Sequence, residues 1–229
     1  FVIGISAGTT VVVGQAWGVQ NIEKVRSVIG STLFMTWLGG SIIAILGFVF
    51  APNILNLLGI DPKVMHLSLP YVRWMLAGSP LLFVYIVYTS ILRGVGDSVT
   101  PLIALGLTSV IGLIVTPILL KGYFGFPALG IIAPAIATIL GYAAVLIFLA
   151  FYLHHKNHPL KLDARLLQHV RYDADLSKII LKLGIPTGIQ MVTTSLAGLV
   201  IIGLVNRYGA HATAAYGAVN QVLNYIQFP

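Results

Sequence analysis

Long apolar runs broken by short polar punctuation set the pattern of this chain. No Asp, Glu, Lys or Arg occurs from Phe1 to Ile22, Ser27 to Ile60, Trp74 to Leu92, Ser98 to Leu120, Gly122 to His155 or Leu183 to Asn206. A helix needs about 20 apolar residues to cross a bilayer, so the pattern predicts an all-α fold, a polytopic transmembrane helical bundle. Phe1 to Gly18 reads as the later part of one helix, followed by the basic turn "VQNIEKVR". A second helix is expected from about Val25 to Phe50, stopped by "APN" and followed by a polar loop ending in "GIDP". Arg73 and Arg93 bracket a third span; its length as a straight helix would be about 30 Å, near the hydrocarbon thickness. Pro101 opens a helix that reaches Lys121, and a further span runs from about Leu129 to Leu153. The one long polar segment, "HHKNHPLKLDARLLQHVRYDADLSK", is expected to carry a short surface helix near Asp163 to Val170. A span from about Ile179 to Val205 and the beginning of a last helix, "AAYGAVNQVLNYIQFP", complete the pattern. Both ends read as cuts within a longer chain.

Composition strengthens this reading. The 229 residues are 58% hydrophobic and 8% charged, against about 25% charged in soluble domains. The net charge of +7 raises the question of nucleic acid, but the placement of the cations answers it. If the turn at Lys24 is cytoplasmic and the spans alternate, one side collects nine cations: Lys24, Arg26, Arg93, Lys156, Lys161, Arg165, Arg171, Lys178 and Lys182. The other side holds four: Lys63, Arg73, Lys121 and Arg207. That asymmetry is the positive-inside pattern of a membrane protein, and a nucleic-acid patch would not alternate with span number. With no cysteine, there is no disulfide framework or thiolate metal site. The start lacks the basic leader of a cleavable signal peptide.

Two glycines, an arginine and an aspartate punctuate "ILRGVGDSVTP", Ile91 to Pro101. A phosphate-binding loop would need a preceding strand, further glycines and a following Lys-Ser/Thr pair, none of which is present. The stretch reads instead as a tight cytoplasmic turn: Gly94 and Gly96 relax the backbone, Asp97 or Ser98 caps the next helix, and Arg93 faces lipid phosphates and water.

Intramembrane carboxylates usually mark an ion relay, yet Glu23, Asp61, Asp97, Asp163, Asp173 and Asp175 all lie outside the depths of the spans. His154, His155, His158 and His169 fall in the polar segment and read as a solvated loop, since a zinc site needs three or four converging ligands. With no buried acid, His or thiol, no catalytic group is visible, and the chain reads as no enzyme. Neutral polar residues do enter the spans. For Gln15, Thr138, Gln190, Thr194, Asn220 and Asn224 two readings stay open, hydrogen bonding between helices and the lining of a substrate path. Pro80, Pro117, Pro134 and Pro186 sit within spans and predict kinks.

Four stretches carry a family resemblance: "GQAWGVQNIEKVRS", "ILRGVGDSVTPLIALGL", "FPALGIIAPAIATIL" and "LKLGIPTGIQM". Together they resemble the multidrug and toxic compound extrusion (MATE) transporters, over essentially the whole chain. The resemblance implies a two-lobe exporter of twelve helices that exchanges cationic or amphipathic compounds for H⁺ or Na⁺ by alternating access, with no cofactor beyond that ion. It implies a monomer in the plasma membrane, multi-pass, as in a prokaryotic inner membrane. On this mapping residues 1–153 are most of the first lobe, residues 154–177 the cytoplasmic linker, and residues 178–229 the start of the second lobe. The Asn and Asp that some members carry in the fifth helix correspond to Gly112 and Thr116, and a Glu of others to Thr194. Both acids are therefore missing here, which leaves the coupling ion open. The alternative that the resemblance implies is a flippase for lipid-linked oligosaccharides, which would move its substrate without those acids.

Overall fold

The computed structural model describes residues 2–57, 62–125, 127–156, 160–161, 170, 173–206 and 209–227. Among them, all regular structure is helical: eight α-helices and two short 3₁₀ turns, at Tyr123–Gly125 and Gly130–Ile132. The helices are α1 (Val2–Gly18), α2 (Ile22–Leu57), α3 (Pro62–Ala77), α4 (Ser79–Gly94), α5 (Val99–Lys121), α6 (Ala133–His155), α7 (Ala174–Asn206) and α8 (Ala210–Gln227). Four helices are long and apolar enough to cross a membrane, or five spans if the bent pair α3–α4 counts as one.

Two expectations about the early helices are corrected. The segment "APN" does not stop α2, which runs through Pro52 to Leu57 with Ala51 and Leu55 buried. Proline removes one backbone hydrogen bond; unwinding in an apolar surround would leave several groups unpaired, so the helix continues. Nor is the stretch from Arg73 to Arg93 one straight span, because α3 and α4 meet at Gly78 with a bend of 44°. Pro80 occupies the first turn of α4, where its missing N–H costs nothing. The bend is seated on α2: the Ser79 hydroxyl donates to the Gly40 carbonyl at 3.0 Å, and a Cβ on Gly40 would fall 2.8 Å from Pro80 Cα. The helix expected to reach Lys121 does so, and α5 ends there on the left-handed Gly122 at φ 73°.

The chain divides into two compact units, residues 1–185 and 186–229, with the division inside α7 at Pro186. In the first unit α1 packs on α2 and α4, α2 on α3 and α4, and α5 on α6. Its core joins Ile5, Val13, Val25, Ile29, Tyr88, Ile91, Leu92, Leu149, Leu153, Leu160 and Ile180. The second unit holds the rest of α7 and α8, and its described side chains are almost all exposed. The surface helix expected near Asp163 to Val170 lies outside the described residues, apart from Val170 itself.

Candidate functional site

The turn after α4 combines Arg93, Asp97 and two glycines, which have different duties. Asp97 caps α5: its Oδ1 accepts the Thr100 N–H at 2.9 Å and its Oδ2 accepts the Thr100 hydroxyl at 2.6 Å. Ser98, the other candidate cap, makes no such bond. Arg93 Nη2 donates to Ser90 Oγ at 2.8 Å, one turn back on its own helix, with the side chain exposed. Gly96 has φ 85° and supplies the left-handed residue the turn requires. Gly94 differs from its reading as a second relaxed residue. It is a contact glycine, since a Cβ there would lie 3.0 Å from the Thr10 carbonyl oxygen and 3.3 Å from Thr10 Cα.

That contact belongs to a close crossing of α1 and α4. A Cβ on Gly14 would lie 3.2 Å from the Gly94 carbonyl oxygen. The Thr10 hydroxyl is shared between the Ser6 carbonyl at 2.8 Å and the Ser90 carbonyl of α4 at 3.2 Å. On the α2 side, the fully buried Thr9 hydroxyl lies 3.3 Å from that of Thr32. Small residues let backbones approach and hydroxyls bridge them, which is how apolar helices adhere where the hydrophobic effect is weak.

The beginning of α7 joins the same bundle through a contact that sequence reasoning missed. A Cβ on Gly8 would collide with the Ile180 carbonyl oxygen, and one on Gly184 with the Gly4 carbonyl oxygen, 2.7 Å from its carbon. Ser177 Oγ lies 3.4 Å from Ser31 Oγ, both buried. The available signal was "GISAG", Gly4 to Gly8, a glycine pair spaced one turn apart. Also missed was the anchor of the polar segment: the Tyr88 hydroxyl donates to the Leu160 carbonyl at 2.8 Å, with both residues buried. At the end of α6, Lys156 Nζ sits 4.7 Å over the Tyr152 ring. The hydrogen bond to Tyr152, with the Asp97 carboxylate adding to it, holds this ammonium's pKa above the usual lysine value.

The predicted path residues are distributed over both units. In the first, Gln15 is exposed on α1, and Thr138 is half-buried on α6 with its hydroxyl on the Pro134 carbonyl at 2.7 Å. In the second, Gln190 and Thr194 are exposed one turn apart on α7, and the Thr194 hydroxyl donates to the Gln190 carbonyl at 2.9 Å. Asn220 is half-buried on α8, while the side chain of Asn224 lies outside the described residues. Gly112, on α5, has open space where a side chain would project, and Thr116 is half-buried one turn on.

Comparison with known proteins places the whole architecture. The MatE family model matches residues 1–118. The chain is 42% identical over 229 residues to "Probable multidrug resistance protein YoeA" of Bacillus subtilis, covering all of this chain and 50% of that protein. It is 28% identical over 216 residues to the "FAD transporter" of Shewanella oneidensis, covering 94% of this chain and 47% of that protein. Among solved structures, a MATE crystal structure in complex with MaD5 superposes with a TM-score of 0.83 at 22% identity, over 96% of this chain and 49% of that one. A MOP superfamily transporter from Pyrococcus furiosus superposes with a TM-score of 0.82 at 21% identity, over 97% and 48%. The chain thus spans about half the length of the curated relatives it matches. With the family model matched across more than half of its residues, and with helices of spanning length, this multi-pass membrane chain belongs to the MatE family.

Proposed function

We propose that the full protein is a secondary transporter of the plasma membrane, an inner membrane in a bacterium, that exports organic cations or amphipathic compounds in exchange for H⁺ or Na⁺. The observation that carries this reading is the 42% identity, sustained along the whole chain, to a protein named for multidrug resistance. Two lobes would rock about a central cavity in alternating access. In this reading Gln15, Gln190, Thr194, Asn220 and Asn224 are the path residues. Thr138, whose hydroxyl is bonded to its own helix as that of Thr194 is, lines the path with them. In the sequence none of the six acids falls deep within an apolar span, so the coupling carboxylate is assigned to the part of the relatives' length that this chain does not span. The transporter acts as a monomer and carries no cofactor beyond the coupling ion.

The test is export of a cationic dye from everted vesicles of an efflux-deficient bacterium that expresses the full-length protein, under H⁺ and Na⁺ gradients imposed separately. Export driven by one gradient names the ion. No export under either gradient, with insertion of the protein verified, overturns the reading.

A further inference from the structure

Near the C-terminal end of α2, α2 and α3 pack antiparallel with Gly47 against Leu76. A Cβ there would lie 2.7 Å from Leu76 Cδ1. Beside this contact the small residues Ala44 and Ala77, with Ile45, Phe48 and Val49, form an open groove of about 310 Å³ that no polar residue lines. A cation stands on its wall: the Arg73 guanidinium lies 4.9 Å over the Phe48 ring. Arg73 Nε is buried without a hydrogen-bond partner, and among the described residues no carboxylate pairs with this side chain.

An arginine does not shed its proton to escape an apolar surround, and a cation in such a place is stabilised by a nearby anion. The aromatic face supplies part of that stabilisation. The guanidinium fork suits a phosphate, which it can bind through two parallel N–H donors. Ala77 lies one helical turn, about 6 Å, further along α3 toward the bend, so the apolar groove begins one turn deeper than the charge. Trp74 and Tyr71 flank Arg73 in sequence, and both residue types favour headgroup depth. Phosphate at the cation with an aliphatic chain one turn below is the chemistry of a lipid. A free phosphate would have no use for the groove, and a zwitterionic headgroup would bring its own cation to the site.

We propose that this groove is a selective site for an anionic phospholipid of the outer leaflet, with the headgroup phosphate on Arg73 and one acyl chain along Ala44, Phe48 and Ala77. The inference rests on membrane insertion in the orientation read from the charge pattern, but not on the direction or the coupling of transport.

The experiment uses the full-length protein with Trp74 as its sole tryptophan, in nanodiscs containing brominated phosphatidylglycerol or brominated phosphatidylcholine. Trp74 is half exposed beside Arg73, so its quenching reports the lipid at the groove. The expected result is a preference for phosphatidylglycerol of about fivefold, the effect of one basic side chain at an anionic surface. It should fall to near unity in Arg73→Gln, survive in part in Arg73→Lys, and be unchanged by Arg93→Gln at the other membrane face. Ala77→Phe, which fills the groove and keeps the cation, should cut the preference to twofold or less. Equal quenching by the two lipids overturns the proposal, as does a preference that persists in Arg73→Gln. Absence of quenching by either lipid shows the groove covered by other polypeptide and overturns it too. If Arg73→Gln does not fold, an unchanged preference in Ala77→Phe has the same force.

Discussion

The α1–α4 crossing and the later part of α7 use the same residue types to different ends. At the crossing, hydroxyls bonded to their own helix also meet a neighbour: Thr10 reaches the Ser90 carbonyl and Thr9 reaches the Thr32 hydroxyl. Along α7, Thr193, Thr194 and Ser195 each donate, among the described residues, to the carbonyl four residues back, at 2.9 Å, and all three are exposed. Glycines divide in the same way. Gly8, Gly94 and Gly184 have backbone or side-chain atoms where a Cβ would go, whereas Gly188, Gly198 and Gly203 have open space. Sequence alone makes these stretches look alike, with apolar residues interrupted by Gly, Ser and Thr. What separates them is the neighbour. In the first region small residues hold helices together, while in the second they leave a surface that can meet lipid, further helices or a substrate path.

The strongest way to break this comparison is to add volume. Gly184→Val places a side chain into the Gly4 carbonyl, and because backbone cannot move aside as a flexible side chain can, a loss of about 3 kcal/mol is expected. In SDS-titration unfolding of the full-length protein this would appear as little or no folded fraction. Gly198→Ala, with nothing within 4 Å of its Cβ, should be neutral or gain up to about 1 kcal/mol from helix propensity. Similar losses at both sites would show that the second region is packed as tightly as the first in the full-length protein.

A smaller effect is expected at the linker anchor. Tyr88→Phe removes the donor to the buried Leu160 carbonyl, costing about 1 to 1.5 kcal/mol. Limited proteolysis should then cut the polar segment around Leu160 faster, by about tenfold if the lost bond is all that holds it closed. An unchanged cleavage rate would assign the anchoring to packing of the Leu160 side chain. Asp97→Ala should cost about 1 kcal/mol by leaving the first turn of α5 uncapped. Asp97→Asn should retain most of the cap, because an amide oxygen still accepts the Thr100 N–H. If the two variants were equally harmful, the carboxylate's charge beside Lys156 would matter more than the cap.

Much of the architecture was legible because charge is scarce. Long uncharged gaps mark helices, and the left-handed glycines Gly96 and Gly122 sit where turns were expected. The errors arose where one residue obeys a local rule that its surroundings override. Pro52 reads as a stop, yet the helix continues because an apolar surround penalises open backbone. The bend at Gly78 was foreshadowed by Pro80 alone, since its seat on Gly40 is a contact between segments far apart in the sequence. The candidate path residues were chosen for residue type, a signal that cannot tell a hydroxyl bonded to its own helix, as Thr138 and Thr194 are, from one aimed at a ligand. The contact role of Gly94 had no signal separate from that of Gly96, two residues on. Gly4 and Gly184 were invisible as a pair because neither records its partner.

The smallest expected change in stability is the most informative about transport. Thr9→Val removes a buried hydroxyl that faces Thr32 and should cost about 1 kcal/mol. Thr194→Val removes an exposed hydroxyl whose only partner among the described residues is the Gln190 carbonyl, so stability should stay within about 0.5 kcal/mol. Transport should invert that ranking. If Thr194 and Gln190 line the path, Thr194→Val and Gln190→Leu should lower dye export several-fold while the protein remains folded. Thr9→Val should lower export only in proportion to the folded protein lost. Normal export by both α7 variants would assign these residues to helix solvation, and would direct the search for substrate contacts to α8 and to helices that this chain does not span.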